Sequence, residues 1–414
     1  MGRNVAVIGG GAAGMMAAVQ AAKAGAQVTL YEKNDRVGKK LLATGNGKCN
    51  FSNMDMNKNA YYGSAVAFYD ELFSVFGVPE TMDFFGQCGM LIRNKNGYLY
   101  PFSEQAATVL DVLRFTMESC HVKVYTNSNV SALEIMRSGS GLQVTVAGEK
   151  CDTYDAVILA CGSMASPKTG SDGSGYKLAK SLGHHVTELA PALVQLRCRE
   201  DFFKSVAGVR TQAGLTLWID GEAKRHVQGE LQLTDYGISG IPVFQFSREA
   251  AYALMHGKRT TVGIDLMPQW EDGAYRAFWE ERWKRQAGQT IEQFLTGISN
   301  KKINQLMIKL TGAKPFWMAD ELPKEKREKM AALYRNLMVT VKETNGFEQA
   351  QVCAGGIPAD ELTQNLESQY VPGLYFAGEI IDIDGICGGY NLQWAWTSGF
   401  VAGQAAAKDR MYSK

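Results

Sequence analysis

The sequence predicts an α/β fold on a parallel sheet, with one nucleotide-binding body made from two separated stretches of chain. Three observations predict it. Residues 4–8 form a short apolar run that leads through Gly9, Gly11 and Gly14 into an Ala-rich stretch. A second apolar run, Gln27–Tyr31, ends on the acid Glu32. After about residue 345 the same texture returns: residues 373–377 read as a buried strand that breaks at Gly378.

Each glycine of the first turn has its own task. Gly9 makes the sharp exit from the strand, Gly11 lets backbone N–H groups approach a pyrophosphate, and Gly14 lets the helix pack close to the sheet. The helix predicted over 12–24 turns its unpaired N–H groups and positive end toward those phosphates. Glu32 stands about where a ribose diol is held. Residues 5–22 are nearly free of polar side chains, but four glycines interrupt them and Lys23 closes them. A strand plus a helix explains that run better than a membrane span.

Along the rest of the chain, residues 60–115 read as helices and a short ribbon, with 98–102 at its exposed turn. Strands are predicted over 122–126, Leu142–Val146 and 155–160, the last ending at Cys161-Gly162. From about 190, short runs at 193–196, 215–219, 230–234 and 261–265 suggest a small antiparallel sheet or barrel. Residues 272–344 become helical and charged, with Trp279, Trp283, Phe294, Leu306 and Leu310 facing inward. A helix over Tyr390–Ala407 closes the chain. The expected domains are therefore a discontinuous body from 1–190 and 345–414, an inserted barrel-like subdomain over 191–271, and an inserted helical subdomain over 272–344.

A chain of 414 residues exceeds one ordinary core. With 43 basic and 42 acidic residues, its net charge of +1 makes no field to gather nucleic acid or coat an anionic membrane. The expected partner is a small hydrophobic or amphipathic molecule, with no nucleic acid and no membrane insertion, for a monomer or small homo-oligomer. No leader precedes the first strand, and Ala6 stands where a myristoylation signal needs Ser or Thr, so a cytoplasmic location is expected. The eight cysteines form no Cys-x-x-Cys and the five histidines no ligand spacing; no metal is expected.

Glu32 alone suits either FAD or NAD. A second glycine cluster over 38–50 follows it closely: Gly45, Asn46 and Gly47 permit left-handed backbone, and Lys39, Lys40 and Lys48 supply countercharge. The longer FAD needs such a loop, and a nicotinamide dinucleotide does not. Glu379 is placed to take ribityl hydroxyls, and the helix starting near Tyr390 turns its N-terminus to the pyrimidine end of a flavin. The reading is a Rossmann-like, glutathione-reductase-type FAD-binding domain.

The fingerprint 7–14, the loop 38–50, the stretch 167–176 and the ending 373–403, with Gly388-Gly389-Tyr390-Asn391, together resemble the HI0933-like flavoproteins. The resemblance runs through nearly the whole chain in the same order. It implies non-covalent FAD under an insert of barrel and helices. It also implies cofactor contacts at Ala12, Ala13, Lys33, Thr44, Cys49, Asn50, Val130, Cys161, Gly162, Asp384, Gly389, Asn391 and Leu392. Cys161 and Cys353 depart from the threonine common in that family; the first lies in a structural turn, and the second is read as a small residue that fits.

Two activities are implied: reduction of conjugated ring double bonds in 3-oxo steroid or bile-acid intermediates, and amine oxidation of the aminoacetone type; an RNA-modifying flavoprotein, which the charge balance disfavours, and a flavin-binding redox sensor are the alternatives of another class. The aromatic texture around Phe202, Phe203, Phe244, Phe246 and Trp317 favours the reductase. Tyr390 is the first expected donor or carbonyl partner, followed by Tyr236 and Arg93. No second strand–GxGxxG–helix unit is present, so NADH or NADPH is expected as a transient electron donor without a domain of its own.

Overall fold

The computed structural model describes residues 2–136 and 141–408. They fall into two compact units: Met1–Ala190 with Ala350–Lys414, and Pro191–Gln349.

The first unit is built on a five-stranded sheet in the order Leu374–Phe376, Ala156–Leu159, Asn4–Ile8, Gln27–Tyr31 and Lys123–Tyr125, every pair parallel. Asn4–Ile8 and Ala156–Leu159 have buried side chains on both faces, which is why they read as continuous apolar runs rather than alternating ones. The helix Ala12–Lys23 packs along the C-terminal helix Tyr390–Ala407. Glycine makes that approach possible: a β-carbon at Gly399 would fall 2.5 Å from the Ala13 carbonyl oxygen, and one at Gly403 would fall 2.4 Å from that of Ala17.

The strand expected at Leu142–Val146 is present, in a separate antiparallel sheet between Val130–Ile135 and Glu149–Tyr154, because its partners are hairpin neighbours. Two other local expectations change. Residues 98–102 are not an exposed turn. Tyr98–Pro101 is a strand paired with Ile92–Lys95, the turn falls at Asn96-Gly97, where φ is 52° and 92°, and Leu99 is fully buried. Leu193 takes φ 49° and ends the run expected at 193–196, so the strand there is Leu196–Cys198.

In the second unit, six strands close an antiparallel barrel in the order Leu196–Cys198, Gly237–Ser239, Glu222–Leu233, Arg210–Ile219, Thr260–Asp265 and Leu337–Thr344, the last pairing back to the first. Two of these elements cross the expected texture. Leu337–Thr344, in the stretch read as helical, is the strand that closes the barrel, because its alternating buried positions Leu337, Val339 and Val341 need both neighbours. The helix Ile241–Met255 lies in the stretch read as barrel and packs against the barrel strands. The helices beyond it bury Trp279, Phe294 and Leu306, as their spacing predicts. Of the aromatic residues that give the insert its texture, Phe203 and Phe246 are 1% and 0% exposed and belong to this core, the ordinary role for such side chains.

Among the described residues, no helix is long and apolar enough to cross a membrane, and no group of three or more His, Cys, Asp or Glu side chains is placed to hold a metal ion.

Candidate functional site

The first unit holds a cavity with about 1230 Å3 of empty space, part of it open to solvent, over the C-terminal ends of the parallel strands. Its floor is the turn between Asn4–Ile8 and the helix Ala12–Lys23. Gly9 has φ 105°, and a β-carbon there would meet the Ala160 carbonyl oxygen at 2.5 Å. A β-carbon on Gly14 would fall 1.9 Å from the Gly9 carbonyl oxygen. Gly11 differs: a β-carbon there would meet nothing within 4 Å and would project into open space. The three glycines thus answer to turn, cradle and packing. No side chain caps the helix and no acid stands in its first turn, so its positive end faces the cavity unopposed.

Glu32 is buried beside that turn. One carboxylate oxygen accepts the Gly10 N–H at 2.8 Å, and the other accepts the Asn34 N–H and Nδ2, each at 2.7 Å. Asn34 Nδ2 also donates to the Thr169 carbonyl at 3.1 Å, tying the acid to the far wall. Lys33 pairs with Asp172 at 2.6 Å. Opposite them, Lys40 Nζ lies 2.6 Å from Glu379 Oε2, and Glu379 Oε1 accepts the Cys353 N–H at 2.9 Å. Burial pushes the Cys353, Cys161 and Cys49 thiols up to about 12, which favours the protonated thiol.

Of the residues expected to hold a cofactor, Gly9, Gly11, Ala12, Ala13, Glu32, Lys33, Lys39, Lys40, Thr44, Val130, Cys161, Gly162, Gly378, Glu379, Asn391 and Leu392 line the cavity together. Gly14 supports the wall from beneath. Gly45, Asn46 and Gly47 do take left-handed backbone, with φ of 56°, 52° and 81°, but are exposed and lie off the lining. Asp384, Gly389 and Tyr390 also lie off it. Gly389 has φ 96°, and a β-carbon there would fall 2.5 Å from the Ser52 carbonyl oxygen and 3.0 Å from Asn50 Oδ1. That Asn50 oxygen is buried and meets no hydrogen-bond donor, which marks the Gly388-Gly389 turn as a place that lacks a partner group. Asn391 clamps the loop before it, accepting the Gly385 N–H and donating to the Gly385 carbonyl, both at 2.8 Å.

Of the three expected catalytic side chains, Tyr390 and Arg93 belong to the first unit and line no part of the cavity, and Tyr236 belongs to the second. The Tyr390 hydroxyl is buried and donates to the Asp55 carbonyl at 2.9 Å, and burial raises its pKa. Arg93 pairs with Glu104 at 2.7 Å on the 92–101 hairpin. Tyr236 belongs to the second unit, where its oxygen accepts Asn345 Nδ2 at 2.9 Å under the Arg197 guanidinium. Sequence reasoning missed Gly10, Asn34, Ser128, Asn129, Ser171, Ser174 and Gln351, which also line the cavity. Asn34 had a signal, an amide donor two residues beyond Glu32, within reach of its carboxylate. Gln351 had none.

This geometry is that of a dinucleotide pocket, and the comparisons agree with it. A protein named 3-dehydro-bile acid delta(4,6)-reductase, from Clostridium scindens, is 42% identical over 408 residues, covering 98% of this chain and 99% of that one. A ribosomal RNA dihydrouridine synthase from Escherichia coli is 27% identical over 403 residues, covering 96% of both. Among solved structures, a 3-ketosteroid-delta4-(5alpha)-dehydrogenase from Rhodococcus jostii, in complex with 4-androstene-3,17-dione, shares the fold at a TM-score of 0.52 and 17% identity, covering 98% of this chain and 97% of that one. The model for the HI0933-like protein Rossmann domain matches residues 3–405, and the chain belongs to the HI0933-like family.

Proposed function

We propose that this oxidoreductase binds FAD non-covalently and saturates a ring C=C bond conjugated to a ketone in a 3-oxo steroid or bile-acid intermediate, with NADH or NADPH as electron source. The observation that carries this reading is the 42% identity to the bile acid reductase over nearly the whole of both chains. The open cradle at Gly11 and the unpartnered Asn50 oxygen support FAD.

Bound and reduced, FAD supplies the hydride for the β-carbon of the enone. The chain's own residues bind and orient. The uncapped N–H groups at 12–14 take the pyrophosphate charge, Glu32 takes a ribose hydroxyl, and Lys40 with Glu379 takes the ribityl chain. The α-carbon takes its proton from an acid or a water molecule at the site. The Tyr390 proton is already committed to Asp55.

A second reading has one observation behind it, the 27% identity to the ribosomal RNA dihydrouridine synthase. Making a dihydrouridine also saturates a ring double bond beside a carbonyl, so the chemistry is shared and the substrate differs in size and charge. The near-neutral chain favours the small substrate. The test is anaerobic: the purified protein's flavin spectrum is bleached with NADH and with NADPH, then reoxidised with a 3-oxo-4,6-diene steroid acid or a uridine-containing RNA, and in a separate arm the oxidised flavin is mixed with aminoacetone, an electron donor. Reoxidation by the steroid and not by RNA, with no bleaching by the amine, supports the proposal; reoxidation by RNA and not by steroid, or bleaching by the amine, overturns it.

A further inference from the structure

Away from the cavity lining, three cations of the first unit converge on one acid. Arg93 Nη1 and Lys95 Nζ lie 2.7 and 2.5 Å from Glu104 Oε1, and Lys48 Nζ lies 3.6 Å from Oε2. One carboxylate cannot neutralise three cations; three positive charges less one negative leave a local surplus of two, in a chain whose total is +1. The cation side chains are 36–57% exposed, where ion pairs exchange readily for another anion.

Their positions are nonetheless held. The Arg93 guanidinium lies 4.2 Å over the Phe102 ring and Lys95 Nζ lies 5.8 Å over that of Tyr100. Glu104 sits at φ 53°, a left-handed backbone that residues with side chains seldom adopt, and this sets its carboxylate beneath the cations. Beside the charges, Tyr98, Phe102 and Leu91 are large apolar side chains left open to solvent. The surface is therefore amphipathic, with cations beside rings.

The hairpin that carries it is fixed to the turn opening the C-terminal helix. Ser52 and Asn53 pair with Leu99 and Tyr98, and Asn53 Nδ2 donates to the Gly388 carbonyl at 2.9 Å. Asn391 and Leu392, just beyond that turn, line the cavity.

We propose that Lys48, Arg93 and Lys95 form an anchor for the carboxylate of an amphipathic acid, and that they select a steroid acid over a neutral steroid. This rests on the steroid reading of the site. Glu104 acts as a positioning residue that holds the cations in register and competes with the ligand for them.

The test titrates the holoenzyme calorimetrically with two 3-oxo-4-ene steroids, one carrying a side-chain carboxylate and the other the neutral 4-androstene-3,17-dione. The expected result is about tenfold tighter binding of the acid, from one charge-assisted contact in excess. That ratio falls toward one in the R93Q/K95Q double variant and with added salt, and rises in E104Q. Thermal melting of each variant checks the fold. A cluster that merely braces the hairpin would lower melting in these variants without moving the ratio, and that result overturns the proposal, as does equal binding of both steroids or binding of neither. Competition by an RNA oligonucleotide that disappears in R93Q/K95Q, with the steroid ratio unmoved, overturns it in favour of phosphate. Selective binding of the acid without its reduction leaves the anchor standing and overturns the assigned reaction.

Discussion

Lys40 and Glu379 stand 339 residues apart in sequence and meet at 2.6 Å on the cavity wall. The pair joins the glycine loop after the second strand to the C-terminal segment, and the second oxygen of Glu379 is occupied by the Cys353 N–H. In Glu379→Gln the amide oxygen can still accept from Cys353, but the ion pair is lost. FAD affinity, followed by fluorescence titration of the apoprotein, is expected to fall about tenfold. Unchanged affinity would remove Glu379 from the cofactor site.

Gly11 and Gly14 separate binding from folding. Gly11→Ala meets no atom, so the apoprotein should melt within about 0.5 kcal/mol of wild type while losing flavin from the purified protein. Gly14→Ala forces a β-carbon onto the Gly9 carbonyl and is expected to destabilise by about 1–3 kcal/mol or more. Melting of the two apoproteins, beside their flavin content, checks both; equal behaviour of the two would contradict the assigned roles.

Tyr390→Phe removes one hydrogen bond, to the Asp55 carbonyl. The expected cost is about 1 kcal/mol in unfolding, with flavin retained and turnover per flavin kept. A collapse of turnover in a fully flavinated, well-folded variant would return Tyr390 to the role its position at the helix start first suggested.

A buried network predicts a pH response. His184 Nδ1 lies 2.7 Å from Glu361 Oε2 and Nε2 lies 2.7 Å from Ser368 Oγ, which also accepts the Tyr370 and Val371 N–H groups. Burial pushes the His184 imidazole below its usual 6.5, against the pull of Glu361. Burial opposes ionisation of Glu361 as well, but hydrogen bonds from His185 and His184 outweigh it and bring its carboxyl below 4.5. For His184 the unfolded chain binds the extra proton first, so its contribution is whole above pH 6.5 and drains as pH falls toward the folded value. For Glu361 the loss begins below about 4.5 and has the same sign. Melting temperature should therefore decline from pH 7 to pH 4, and the upper part of that decline should flatten in His184→Gln. A flat wild-type profile over that range would refute the coupling.

Much of the dinucleotide pocket was legible because glycine and alternating apolar runs answer to backbone geometry alone. Gly9 needs positive φ and Gly14 needs a missing side chain wherever a strand, a tight turn and a helix follow one another. The strand Leu337–Thr344 was not legible, since it follows charged helices and earns its identity only from pairing with Leu196–Cys198 and Thr260–Asp265. The partner of Tyr390 was not legible for a similar reason. Its place at a helix start is written in the sequence, whereas the Asp55 carbonyl that takes its proton comes from 335 residues away.

By itself the sequence determined the cofactor-binding turn, the parallel strands around it and the family resemblance, because these depend on residue types at short, fixed spacings. Tertiary structure alone decided which polar groups meet: Lys40 with Glu379, Asn34 with Glu32 and Thr169, and three cations with Glu104. Coulomb attraction and hydrogen bonding act over a few ångströms of space without regard to distance along the chain, so only the folded backbone sets which partners come within reach.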